Sequence, residues 1–271
     1  MLNYHEMTMT ESRDSPQRRK QFLIICAIMA GVLINTICLS GILFPVEITE
    51  GIYPGGEYVY KFLVKDYAAS AGTNVLITED LSIPEDEQAD LLYSVFIDDM
   101  TEISEGNGRF MAGLLTDKNS DKSIKMRSAL LEKNPKIEKK IEKLKKKKEL
   151  NDLRHPENIL YESGELPSVV AAVAHFPFTN GFVSALMFSY KVLPTMQKWA
   201  REHIDEGSPV VVSSTCSIKQ QMCTHYVPLF KADEFLLGRP DTKAHKLELQ
   251  KSKKPLSSSS ILKGLRKLVP F

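Results

Sequence analysis

Cysteine is scarce, with four in 271 residues and no Cys-x-x-Cys pair, which excludes a disulfide-knit miniprotein. Glycine and proline number 14 each, too few for collagen or for low-complexity disorder along the whole chain. The six histidines, at 5, 155, 175, 203, 225 and 245, offer no His-x-x-x-His spacing, so no zinc motif is written in the sequence. None of the nine asparagines begins an Asn-x-Ser/Thr acceptor. Net charge is also nearly lacking, at +1. That balance hides a strong partition: residues 118–155 sum to +8, residues 239–271 to +7 and residues 1–21 to +1, which leaves −15 for the rest. A body of that sign repels phosphate, so nucleic acid is excluded as the partner of the body itself.

What is present begins with an apolar run. Phe22 to Phe44 holds 23 residues without a charge. As a helix it would be about 35 Å long, enough for a hydrocarbon core of about 30 Å. It is longer than a signal-peptide core, so a single transmembrane anchor is expected between Phe22 and Phe44. Arg13, Arg18, Arg19 and Lys20 precede it and Lys61 alone follows closely, a bias that favours the N-terminus in the cytosol and the body on the far side.

Four segments follow from the patterning: residues 1–21 as a polar leader, 22–44 as the anchor, 45–238 as one domain with a basic helical insertion at 118–155, and 239–271 as a basic tail. Within the domain, Tyr58, Tyr60, Phe62 and Val64 alternate at period two and mark a strand with an aromatic inner face. A short helical or irregular stretch follows, roughly Thr73 to Asp90 with Pro84 interrupting it, and then strands at Leu91–Ile97 and Gly108–Leu115. The same order recurs as a strand at Ser168–Phe176, a helix from about Asn180 to Glu206 restarted at Pro194, and strands at Pro209–Cys216 and Met222–Leu229. Strand, helix, strand, strand appears twice, so the expected fold is α+β, built from two pseudo-symmetric strand-helix-strand-strand halves. The insertion, with a short stripe of Ile137, Ile141 and Leu144, is expected as a solvated surface helix or as a basic helix resting on anionic lipid.

No catalytic set assembles, and the expectation is a protein that is not an enzyme, with no cofactor and no metal. His175 and His225 are expected as ordinary strand residues, with a ligand pair facing across the two halves as the alternative, and Asp98-Asp99 as a solvated turn. Cys216 and Cys223 flank a hairpin turn and are expected as free thiols in a reducing compartment. Tyr60, Phe62, Phe110, Phe178 and Tyr226 are the candidate lining of a groove between the halves, or else core. In the tail, Ile261–Val269 would make an amphipathic helix whose Lys263, Arg266 and Lys267 touch a membrane surface.

Several blocks carry a resemblance. The runs Tyr60–Ile83, Val95–Met100, Phe110–Asp117, Ser168–Phe182, Val192–Ile204 and His225–Leu236 resemble, in order, the gyrase-inhibitor-like domain of the testis-expressed protein 264-like family, across residues 22–237 without the basic insertion. The resemblance implies a single-pass protein of the endoplasmic reticulum membrane with a cytosolic body. It further implies an adaptor for an AAA+ unfoldase and a receptor in autophagy of that organelle, which binds a ubiquitin-like modifier through an aromatic-x-x-aliphatic motif in a disordered tail. Here residues 239–271 have Phe271 as their single aromatic, so that motif does not fit in the tail. Relatives with gyrase-inhibitor-like or haem-binding domains use the groove for flat or hydrophobic molecules, which implies the alternative of a membrane-tethered binder of a hydrophobic cation or tetrapyrrole.

Overall fold

The computed structural model describes residues 16–39, 41–81, 91–104, 106–149, 151–178, 182–217 and 219–253. Two compact units divide at Leu43 and Phe44. The first holds helix α1, Pro16–Leu39. Its apolar residues lie all round the helix, and Phe22, Leu23, Ile24, Ile25, Ile28, Met29, Val32 and Ile34 are exposed. The helical part of the expected anchor stops short of Phe44, since residues 41–43 form a turn and Gly41 takes φ +75°, a conformation glycine adopts without penalty. Among the described residues, no helix is long and apolar enough to cross a membrane.

The second unit is an α+β body on one eight-stranded antiparallel sheet. In chain order it contains β1 (Ile48–Tyr53), β2 (Gly56–Val64), α2 (Ala69–Leu81), β3 (Leu92–Phe96), β4 (Arg109–Thr116), α3 (Asp121–Leu131), α4 (Asn134–Lys147), β5 (Glu162–Leu166) and β6 (Val169–Pro177). There follow α5 (Phe182–Met187), a π-helical turn (Phe188–Val192), α6 (Leu193–His203), β7 (Val212–Ser217), β8 (Met222–Pro228) and α7 (Thr242–Lys253). The strand order is β1-β6-β8-β7-β3-β4-β2-β5.

Register shows how the ends of this order meet. Ile48 to Tyr53 lie opposite Ala174 to Val169, and Gly56 to Tyr60 lie opposite Leu166 to Glu162. The spacing is the same on both sides of the break at Pro54-Gly55, so β1-β2 and β5-β6 are two long strands running antiparallel through one interrupted ladder. That ladder closes the sheet on itself and leaves few strand edges open. The crossing needs Gly55, which sits at φ +66°; a Cβ there would lie 2.4 Å from the Ser168 amide nitrogen.

Alternation along β2 sorts the two faces. Val59 and Leu63 join Ile77 of α2, Leu130 of α3, Ile137 of α4 and Met196 and Ala200 of α6 in the core beneath the helices. Tyr58 and Tyr60 join Tyr53, Tyr93, Met111, Leu166 and Phe235 on the inner face. Pro194 restarts the second helix as expected, at the N1/N2 position of α6. Because proline has no N–H and its ring crowds the preceding turn, the helix widens there into the π turn at Phe188–Val192.

The insertion is more than a solvated surface helix. Leu130 and Ile137 are buried in the core, and Arg127 donates to Thr116 Oγ1 at 2.8 Å and pairs with Glu57 at 2.7 Å. The tail likewise starts inside the body: Thr242 of α7 is buried and donates to the Ile97 carbonyl at 3.2 Å, and His245 is buried beside it. Lys263, Arg266 and Lys267 lie outside the described residues.

Candidate functional site

The expected groove is the inner face of the sheet, and it is filled. The Tyr53 ring meets Tyr93, Tyr226 and Phe235 edge-on at centroid distances of 5.8, 5.3 and 5.0 Å. Tyr58 stacks on Tyr60 at 5.1 Å, and its hydroxyl donates to the Tyr93 carbonyl at 2.8 Å. Phe235 and Leu236, from the 3-10 turn Glu234–Leu236 that follows β8, plug the remaining space. Gly164 admits this plug, since a Cβ there would come within 2.9 Å of Leu237. At the rim, the Arg239 guanidinium lies over the Phe62 ring at 3.8 Å and donates to Glu162 at 2.5 Å, while the Tyr60 hydroxyl donates to the same carboxylate at 3.1 Å.

Tyr53, Tyr58, Tyr60 and Tyr226 are held neutral. Burial raises Tyr53, Tyr58 and Tyr226, and burial followed by the Glu162 charge raises Tyr60. None of them is poised as a base at neutral pH. Of the five residues expected to line a groove, Tyr60, Phe62 and Tyr226 do share the inner face. Phe110 points the other way, into the helix-side core against Tyr67 and Phe96, because β4 turns alternate residues outward. Phe178 lies beyond the end of β6 and belongs to neither core cluster.

Asp98 and Asp99 are buried, in place of the expected solvated turn. Asp98 accepts from the Arg109 backbone N–H and Nε, each at 2.9 Å, and from Nη2 at 2.6 Å. Its carbonyl accepts from the Tyr67 hydroxyl at 2.7 Å and from Gln197 of α6 at 2.9 Å. Asp99 pairs with Arg201 of α6 and accepts from Thr101 N and Oγ1 at 2.8 and 2.7 Å. These carboxylates bind the end of β3 to β4 and α6; every one of those partners is a structural neighbour. No sequence motif announces this cluster, since Arg109 and Gln197 reach Asp98 only in the tertiary fold.

A half-open cleft of about 270 Å³ lies next to it, with Asp99, Glu102, Arg201, Asp205, Glu206, Asp241 and Lys243 among its lining. Its lining includes the hydroxyls of Ser208 and Thr242 but neither histidine nor cysteine. Among the described residues, no three His, Cys, Asp or Glu side chains gather as a metal site.

His175 and His225 do not face each other. His225 lies opposite Ala174 and is buried, whereas His175 lies opposite Thr224 and is exposed on the other side of the sheet. Burial first, then the nearby His175, lowers His225 to about 3, and its ring stacks on Phe188 at 5.3 Å. Cys216 and Cys223, expected as free thiols, form a disulfide between directly opposed residues of β7 and β8. Gln221 supplies the positive φ, +50°, that lets the turn between them close without glycine or asparagine.

No protein-family model matches the chain, and no curated protein matches it either. Among solved structures it is similar to the C-terminal domain of EcmrR, at 12% identity over 68% of this chain and 96% of that one, with a TM-score of 0.35. It is also similar to SAV2435 bound to tetraphenylphosphonium, at 9% identity over 67% and 93%, TM-score 0.35. A hydrolase encoded by lin2189 from Listeria innocua gives 9% identity over 71% and 97%, TM-score 0.36. Likenesses this weak carry no argument for fold or function.

Proposed function

We propose that the chain is a single-pass protein of the endoplasmic reticulum membrane. In this reading its body, a gyrase-inhibitor-like domain of two pseudo-symmetric halves, is a non-enzymatic docking module that serves as an adaptor or receptor in selective autophagy of that organelle. The observation that carries the docking part is the filled inner face: Tyr53, Tyr58 and Phe235 are fully buried where a ligand would sit, so recognition is left to the outer surface. The alternative binder of a hydrophobic cation or tetrapyrrole would have to displace the Phe235–Leu236 plug. The uncharged run Phe22 to Phe44 supports the anchor, because a stretch of that length and composition favours an apolar environment.

The side of the membrane decides the autophagy part. The resemblance to the testis-expressed protein 264-like family favours the cytosol, whereas the four basic residues before the anchor and the Cys216–Cys223 disulfide favour the lumen. Protease treatment of intact microsomes holding the full chain with a C-terminal tag separates the two. Digestion of the tag without detergent is the expected result. Protection of the tag places the body in the lumen and ends the receptor reading.

A further inference from the structure

Helix α4 reads NPKIEKKIEKLKKK, and from residue 136 onward it contains only lysine, glutamate, isoleucine and leucine. Ile137 is buried in the core and Ile141 packs against it, which fixes the rotation of the helix on the body. At about 100° per residue, Lys136, Lys139, Lys140, Lys143, Lys146 and Lys147 then fall within about 120° of arc along about 16 Å of helix. All six are exposed. Glu138 and Glu142 stand on the opposite flank of the apolar stripe, so the acids do not interrupt the basic one. Among the described residues, the stripe forms an ion pair with one acid from outside the helix, Glu157, which meets Lys140 at 2.8 Å at the surface.

We propose that this stripe is a docking surface for anionic lipid headgroups. Its composition selects the partner class. Six flexible amines on one side of a rigid helix form a row of point charges, with no arginine to clasp a phosphate bidentately and no aromatic ring to stack on a base. Lysine stems are long enough to bring their charges to a common plane, which suits a bilayer surface more than a nucleic-acid groove. The remainder of the body is acidic and is repelled by the same lipids, so the attraction acts through one face and sets an orientation. A tether through α1 raises the local concentration of lipid, and a weak electrostatic contact then suffices.

This inference rests on the anchored reading. The test uses the full chain incorporated into vesicles of phosphatidylcholine alone or with about a third phosphatidylserine. Lysines are acylated with a membrane-impermeant reagent and read by mass spectrometry. Labelling of Lys139, Lys143 and Lys146 is expected to fall several-fold in the anionic vesicles and to recover at high salt, while Lys198, exposed on α6, labels equally in both. In the variant K139Q/K143Q/K146Q, protection of Lys136 and Lys147 is expected to weaken about fivefold per lysine removed. Equal labelling of the stripe in both vesicle types, by a chain that stays with them through alkaline washing, overturns the stripe alone. A chain washed off neutral vesicles overturns both the stripe and the anchor. Protection by added RNA or an acidic peptide in neutral vesicles, with none from phosphatidylserine, overturns the lipid assignment.

Discussion

Asp98 and Arg109 form a buried two-pronged ion pair across the β3–β4 connection, with Nε to Oδ2 at 2.9 Å and Nη2 to Oδ1 at 2.6 Å. Neither side chain is open to water: they are 0% and 3% exposed. The same carboxylate lies 3.9 Å from His245 of α7, and the Asp98 carbonyl holds Gln197 of α6. Elements that are far apart in sequence thus meet on one residue.

Arg109→Ala is expected to cost about 3–5 kcal/mol, because it leaves a buried carboxylate without its cation. Urea unfolding reads this as a lower midpoint at unchanged slope. A loss below about 1 kcal/mol would show that water reaches Asp98 and that the pair is not a buried one.

Removing the disulfide with Cys216→Ser and Cys223→Ser is expected to cost about 2–3 kcal/mol, the chain-entropy value for so short a loop. The sequence separation of the two cysteines is 7. Thermal unfolding with and without reductant should show the same drop for the unsubstituted chain and none for the double variant. A melting temperature indifferent to reductant would mean that the thiols are free in solution.

His225 gives a pH dependence with a definite sign. Its folded value is about 3 against an ordinary 6.5, so the unfolded chain takes up the proton first. The stability that comes from a neutral ring is full above pH 6.5 and is lost as the pH falls toward 3. In His225→Phe, which keeps a ring against Phe188, that component should vanish. The difference in urea midpoint between the two proteins should change with pH across this window; a constant difference would exclude His225 as its source.

Gly55→Ala is expected to destabilise by about 1–3 kcal/mol through its left-handed φ and its approach to Pro167-Ser168. Gly72→Ala is the control, since a Cβ there meets nothing within 4 Å. Similar midpoints for the two variants would show that the crossing of the long strands tolerates a side chain.

Elements with strong local periodicity were legible from the residues alone. The alternation in β2 and the restart of helix at Pro194 lie where the patterning puts them. Strands β1 and β5 were not legible. Their sequences, ITEGIY and ESGEL, bury one residue each, so no alternation marks them, and their pairing comes from chain more than 100 residues away. The register that unites Cys216 with Cys223 was equally hidden, because the turn between them lacks the glycine or asparagine that signals a tight hairpin.

Charged residues show the same division. Local reading sends them to water, yet Lys61 is fully buried, donates to the Pro156 carbonyl at 2.9 Å and lies over the Tyr161 ring at 4.3 Å. Burial lowers it to about 8. Local pattern is enough for the aromatic face of β2, the helix restart at Pro194 and the separation of basic from acidic segments, since these depend on neighbours within a few turns of chain. Only the tertiary structure decided the closed sheet, the filled inner face and the burial of Asp98, Arg109 and Lys61, because each depends on contacts between residues far apart in sequence, where local pattern carries no signal.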